Sequence, residues 1–65
     1  MDVLKFIEGL QIIQKTAKDV YHLRSDHDVI WAGDLSWNMS QEDKNKMLEL
    51  GWNPDEDSNG WRANI

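Results

Sequence analysis

The chain has no cysteine, one proline, one phenylalanine, one tyrosine and no long apolar run in its 65 residues. Without cysteine, neither disulfides nor thiolate zinc ligation can reinforce a domain close to the lower size limit for a single core. No apolar stretch approaches the roughly 20 residues a membrane helix needs, and the start lacks a basic-then-apolar leader pattern. These absences lead to the expectation of a protein that works in the cytoplasm, away from membranes. No repeat, low-complexity tract or linker interrupts the sequence, so residues 1–65 are expected to form one domain. Clustered lysine and arginine are also missing, which argues against direct binding to a phosphate backbone.

What is present is aromatic mass and negative charge. Four tryptophans, Trp31, Trp37, Trp52 and Trp61, with Phe6 and Tyr21, can each bury roughly 150–250 Å². Charge is distributed unevenly. Residues 1–24 hold four bases against three acids, a net +1, whereas residues 25–65 hold nine acids against three bases, a net −6. That asymmetry favours a basic partner, or serves solubility alone.

Residues 2–17 read as a helix, with Asp2 as N-cap and Val3, Phe6, Ile7, Leu10, Ile13 and Ala17 on one buried face. Leu4 and Ile12 fall off this stripe, and Gly9 in mid-helix marks a close backbone approach. Residues 20–23 and 28–32 are β-like, with Ser25-Asp26-His27 as the turn between them. Residues 33–39 form an apolar connection. A second helix spans residues 41–50: Ser40 is its N-cap, Asp43 completes a near capping box, and Gly51 followed by Trp52 forms the stop. Residues 51–65 make a second hairpin with a type I′ turn at Asn59-Gly60 and Pro54 on an edge strand. The order α-β-β-α-β-β gives an α+β domain with an antiparallel sheet and helices on one face. The expected core is Phe6, Ile7, Leu10, Ile13, Val29, Trp31, Leu48 and Trp52.

Three groups of residues are candidates for chemistry. Asp55-x-Asp57-x-Asn59-Gly60 matches the opening of an EF-hand calcium loop, but its closing glutamate would fall one position past Ile65. A plain acidic hairpin is therefore expected, with a weak calcium site as an alternative. His22, Asp26, His27, Asp28 and Asp34 hold metal-ligand types, yet their spacing places His27 in a turn and not opposite His22. Asp26-His27-Asp28 lacks a nucleophile or oxyanion donor, so neither a metal site nor catalysis is expected. Trp37, in a loop between Ser36 and Asn38, is either core filling or an exposed interface anchor.

The N-terminal helix, then His27-Asp28-Val29-Ile30-Trp31-Ala32-Gly33, Ser40-x-Glu42-Asp43, Leu48-x-Leu50-Gly51-Trp52-x-x-Asp55-Glu56 and a closing Trp61, occur in this order. The arrangement resembles a set of very short acidic proteins encoded by bacteriophages and other mobile elements. The resemblance implies a genomic setting and carries no mechanism or functional residues with it. The chain departs from the set in Pro54 and in the Ser58-Asn59-Gly60 turn, so no loop function is transferred.

The leading expectation is a non-enzymatic phage accessory protein without a cofactor. It would inhibit a host nucleic-acid-handling defence protein by occupying its basic groove, as anti-CRISPR inhibitors do. Asp55, Glu56 and Asp57 on the hairpin, with Glu42, Asp43 and Glu49 on the second helix, are the expected contact charges, and Trp37 is the apolar anchor. The alternatives are a homodimeric assembly module that pairs through Leu4 and Ile12, and the calcium-binding domain.

Overall fold

The computed structural model describes residues 1–19 and 22–65. Val20 and Tyr21, expected in the first strand, lie outside the described residues. The elements are α1 (Val3–Gln14), β1 (Leu23–Asp26), β2 (Val29–Ala32), α2 (Gln41–Leu50), β3 (Asn53–Asp55) and β4 (Gly60–Asn64). The four strands form one antiparallel sheet in the order β1-β2-β4-β3. The α+β order read from the sequence is the observed one.

Both helices begin where the sequence places them. The Asp2 carboxylate accepts the Lys5 N–H at 2.8 Å, and the Ser40 hydroxyl accepts the Asp43 N–H at 3.1 Å, each satisfying a donor that the first turn leaves free. α2 ends in a Schellman stop. Gly51 takes φ +97°, its N–H reaches the Leu48 carbonyl at 3.1 Å, and the Trp52 N–H reaches the Met47 carbonyl at 2.9 Å. Met47 and Trp52, the two residues this stop brings together, are the two largest fully buried side chains among the described residues. α1 stops at Gln14, short of Ala17, and tightens into successive three-residue turns through Ala17.

The core comprises Ile12, Ile13, Ala32, Trp37, Met39, Met47, Leu50, Trp52, Trp61 and Ala63, with Phe6, Leu10 and Leu35 packed against it. Several expected members lie elsewhere, for a reason particular to each element. α1 docks through its smallest residue. Gly9 sits against the Trp52 indole, where a Cβ would lie 2.5 Å from Cδ1, while the Phe6 ring stacks on that indole at 5.5 Å. This contact rotates the buried face toward Phe6, Gly9, Ile12 and Ile13. It leaves Val3, Ile7 and Ala17 exposed and buries Ile12, which the expected stripe had excluded. On α2 the inward positions are Met47 and Leu50, so Leu48 stands 52% exposed.

In the sheet, Ala32 pairs with Trp61 and Ile30 with Ala63, and alternation turns these toward the helices. Val29 and Trp31 consequently lie on the opposite face and are only half-buried. The first turn is His27-Asp28, one step later than expected. It closes the Asp26–Val29 pair with His27 at φ +55°, a region that histidine enters more readily than most residues. In the second hairpin Gly60 is a strand residue, paired with Asp55. Residues 56–59 form the loop, and of the expected Asn59-Gly60 pair only Asn59 has positive φ, at +54°. β3 is an edge strand, as Pro54 requires.

Candidate functional site

The acidic hairpin is built around Asp55, which turns back across the outer sheet face toward Trp31. Its Oδ2 accepts the Trp31 indole N–H at 2.8 Å, and its Oδ1 accepts the N–H groups of Asp57 at 3.1 Å and Ser58 at 3.4 Å. The Trp31 bond, followed by the two loop N–H groups and the charge of Arg62, holds the Asp55 carboxyl below the usual aspartate range. Asp55 is thus the strut of the loop, in contrast to the expected role as a projecting contact charge. Glu56 and Asp57, the next two residues, are exposed at the tip.

The same strut changes the reading of the loop as a calcium site. Both Asp55 oxygens are engaged by N–H donors. The Asn59 side chain turns away to donate to Asp34 Oδ1 at 2.9 Å. Asp34 also accepts the Ser36 N–H at 2.8 Å. The Ser36 bonds, then that of Asn59 and the nearby His22, lower its carboxyl from the ordinary range. Of the alternating side chains that suggested a cation cradle, Asp55 and Asn59 are spent instead on bracing the loop and tying it to Asp34, and Asp57 stays exposed. Among the described residues no group of three or more His, Cys, Asp or Glu side chains is placed to hold a metal ion.

The histidine-carboxylate set divides between the two ends of the β1–β2 hairpin. His22 Nδ1 is 2.7 Å from Asp19, and Nε2 is 3.7 Å from Asp34. His27 sits in the turn, 3.6 Å from Asp26. The expected separation of the two histidines is what the structure shows.

On α2 the three candidate acids differ. Asp43 is 3.4 Å from Lys15, the C-cap residue of α1, in an ion pair at the surface between the two helices. Glu49 shares Lys46 with Glu8, at 3.9 and 3.7 Å. Glu42 is exposed and, among the described residues, has no cation within ion-pair distance, which also holds for Glu56 and Asp57. Of the six expected charges, three are therefore free to meet a partner.

Trp37 is not an exposed anchor. It is buried in the core, and the His22 ring meets it edge-on at 5.1 Å. The connection at residues 33–39 is apolar because it supplies Leu35, Trp37 and Met39 to the interior. A groove of about 290 Å³ lies between α2 and the second hairpin, with Lys44, Leu48, Pro54 and Trp61 among its lining residues. Leu48 stands there as the exposed apolar side chain, a position the sequence reading had assigned to the core. Its place one step around from Met47 on a short helix was the available signal.

Comparison with family models, with curated proteins and with solved structures returns no match. Among the described residues, no helix is long and apolar enough to cross a membrane.

Proposed function

We propose that this chain is a non-enzymatic binding module that inhibits a nucleic-acid-handling protein of a phage host by occupying its basic groove. The observation that carries this reading is the set of three exposed carboxylates, Glu42, Glu56 and Asp57, that have no ion-pair partner among the described residues. Charges carried on a backbone that is ordered before binding require little chain ordering on association, and they steer a basic partner toward them. Asp55 supplies the bracing through the Trp31 and loop bonds. Leu48, which lines this chain's own groove between α2 and the second hairpin, takes the anchor place that Trp37 does not fill. The test is affinity capture from a bacterial lysate with the parent chain and with a Glu42→Gln, Glu56→Gln, Asp57→Asn variant. Polynucleotide should then be added to the captured complex. Loss of the captured protein with the variant, and its release by polynucleotide, is the expected result.

A second reading is favoured by one observation on α1. Val3 is 70% and Leu4 78% exposed, with Ile7 beside them on the face turned away from the core. A helix apolar on both faces has an unfilled contact surface, which supports homodimerisation through Val3, Leu4 and Ile7. Ile12, formerly grouped with Leu4, is buried and plays no part. Light scattering over a concentration series separates the two readings.

A further inference from the structure

The sheet face turned away from the helices carries both arginines of the chain. Across the strands Arg24 of β1 stands opposite Trp31 of β2, which stands opposite Arg62 of β4. Beside this row a cavity of about 170 Å³ is bounded by His22, Arg24, Trp31, Ser58, Gly33 and Gly60. The two glycines leave bare backbone at its floor. A Cβ at Gly60 would meet the Gly33 carbonyl oxygen at 3.0 Å, and Gly33 has φ +74°, so neither position readily accepts a side chain that would fill the space.

The walls are fixed before any ligand arrives. Trp31 is held by its bond to Asp55, and the same carboxylate holds the Ser58 N–H. The ring and the loop are therefore braced together. The Arg24 guanidinium lies over the Trp31 ring, 5.2 Å from its centroid, and no carboxylate stands within ion-pair distance of it among the described residues. His22 is already held by Asp19. The donors that remain for a ligand are the guanidinium fork and the Ser58 hydroxyl, against an aromatic wall.

We infer that this cavity binds a small oxyanion, a phosphate monoester or a chain-terminal carboxylate, held by Arg24 and Ser58 against Trp31. The Arg24 guanidinium favours an anion over a cation, and the charge of the Asp55 carboxylate behind Trp31 and Ser58 is partly offset by the three N–H groups that donate to it. The volume admits one anionic group with a short substituent. The net −6 of residues 25–65 disfavours a polyanion. This site borders the loop that carries Glu56 and Asp57, and it is set apart from those carboxylates by the Arg24 guanidinium over Trp31.

The test is an NMR titration of the labelled protein with inorganic phosphate and, separately, with acetate, at constant ionic strength. Saturable shifts are expected at the Trp31 indole N–H and the amides of Gly33, Ser58 and Gly60. The anion that binds more tightly identifies the source of the oxyanion. Arg24→Gln should weaken binding by about tenfold or more, the worth of one charge-assisted hydrogen bond. Ser58→Ala should weaken it by less, and both variants should keep the parent melt. Equal shifts with sodium chloride, shifts scattered over the surface, or unchanged affinity in Arg24→Gln would each overturn the assignment.

Discussion

Gly9→Ala sets two opposing effects against each other, and the structure decides the sign. In an exposed helix interior this change stabilises by about 1 kcal/mol, because glycine loses more backbone freedom on folding. At Gly9 the new methyl would overlap Nε1 of Trp52 and lie 2.5 Å from its Cδ1. Trp52 is fully buried and stacked on Phe6 at an interplanar angle of 15°. Its indole N–H has no acceptor among the described residues, so the ring is positioned by packing and not by a polar bond.

To admit the methyl, either the ring must leave its stack or α1 must lift from the core. Overpacking of this kind costs about 1–3 kcal/mol, and so severe an overlap belongs at or beyond the upper end. The net loss should be about 2 kcal/mol or more, which lowers the melting temperature of a domain this size by roughly 8–16 °C. Urea unfolding followed by circular dichroism measures it, with Gln11→Ala on the exposed side of α1 as a control for helix propensity. Adding Trp52→Phe, which removes the ring portion nearest the methyl, should return part of the loss, so the double variant falls short of the sum of the singles. A Gly9→Ala melt equal to or above that of the parent would refute the packing described for α1.

Trp52→Ala should cost about 3–5 kcal/mol, against a total of roughly 3–10 kcal/mol for 65 residues; a cooperative melt near the parent temperature would contradict its burial. The folded chain favours the Asp55 carboxylate, chiefly through Trp31. That stability is therefore present above the unfolded aspartate value of about 3.9 and is lost as the pH falls through the lower folded value. The melts of the parent and of Asp55→Asn should differ near neutral pH and converge on acidification, and a difference independent of pH would exclude this linkage. Leu4→Lys, on the outward side of α1, should change monomer stability by less than about 0.5 kcal/mol; a larger loss in dilute unfolding measurements would mean that Leu4 is covered.

What could be read from the sequence were the features with local causes. Ser40, Asp43, Gly51 and Trp52 specify the start and stop of α2 within their own neighbourhood, so its boundaries follow directly. Asp2 and Pro54 are legible for the same reason. The buried side of α1 is a tertiary matter. A stripe of large apolar residues pointed to Val3 and Ile7, whereas docking depends on Gly9 fitting a tryptophan 43 positions later in the chain. Strand alternation in β2 defines two faces but not which one meets the helices, so the sequence alone does not distinguish Trp31 from a core residue. The role of Asp55 was hidden because its main partner, Trp31, lies 24 residues away across the sheet. Trp37 looked exposed because it sits among polar neighbours in a connection, yet a small domain recruits its loops to complete the core.

The central claim is that the unpaired carboxylates make the contact with a basic partner. It is tested most directly by the association rate of the captured partner with the parent chain and with the Glu42→Gln, Glu56→Gln, Asp57→Asn variant, each over a range of salt concentrations. Three surface charges removed at exposed positions should leave the melt within about 0.5 kcal/mol of the parent. The account predicts a slower association for the variant at low salt and a weaker dependence of that rate on ionic strength. Equal rates and equal salt dependence for the two proteins would contradict it and would move the contact to the apolar face of α1.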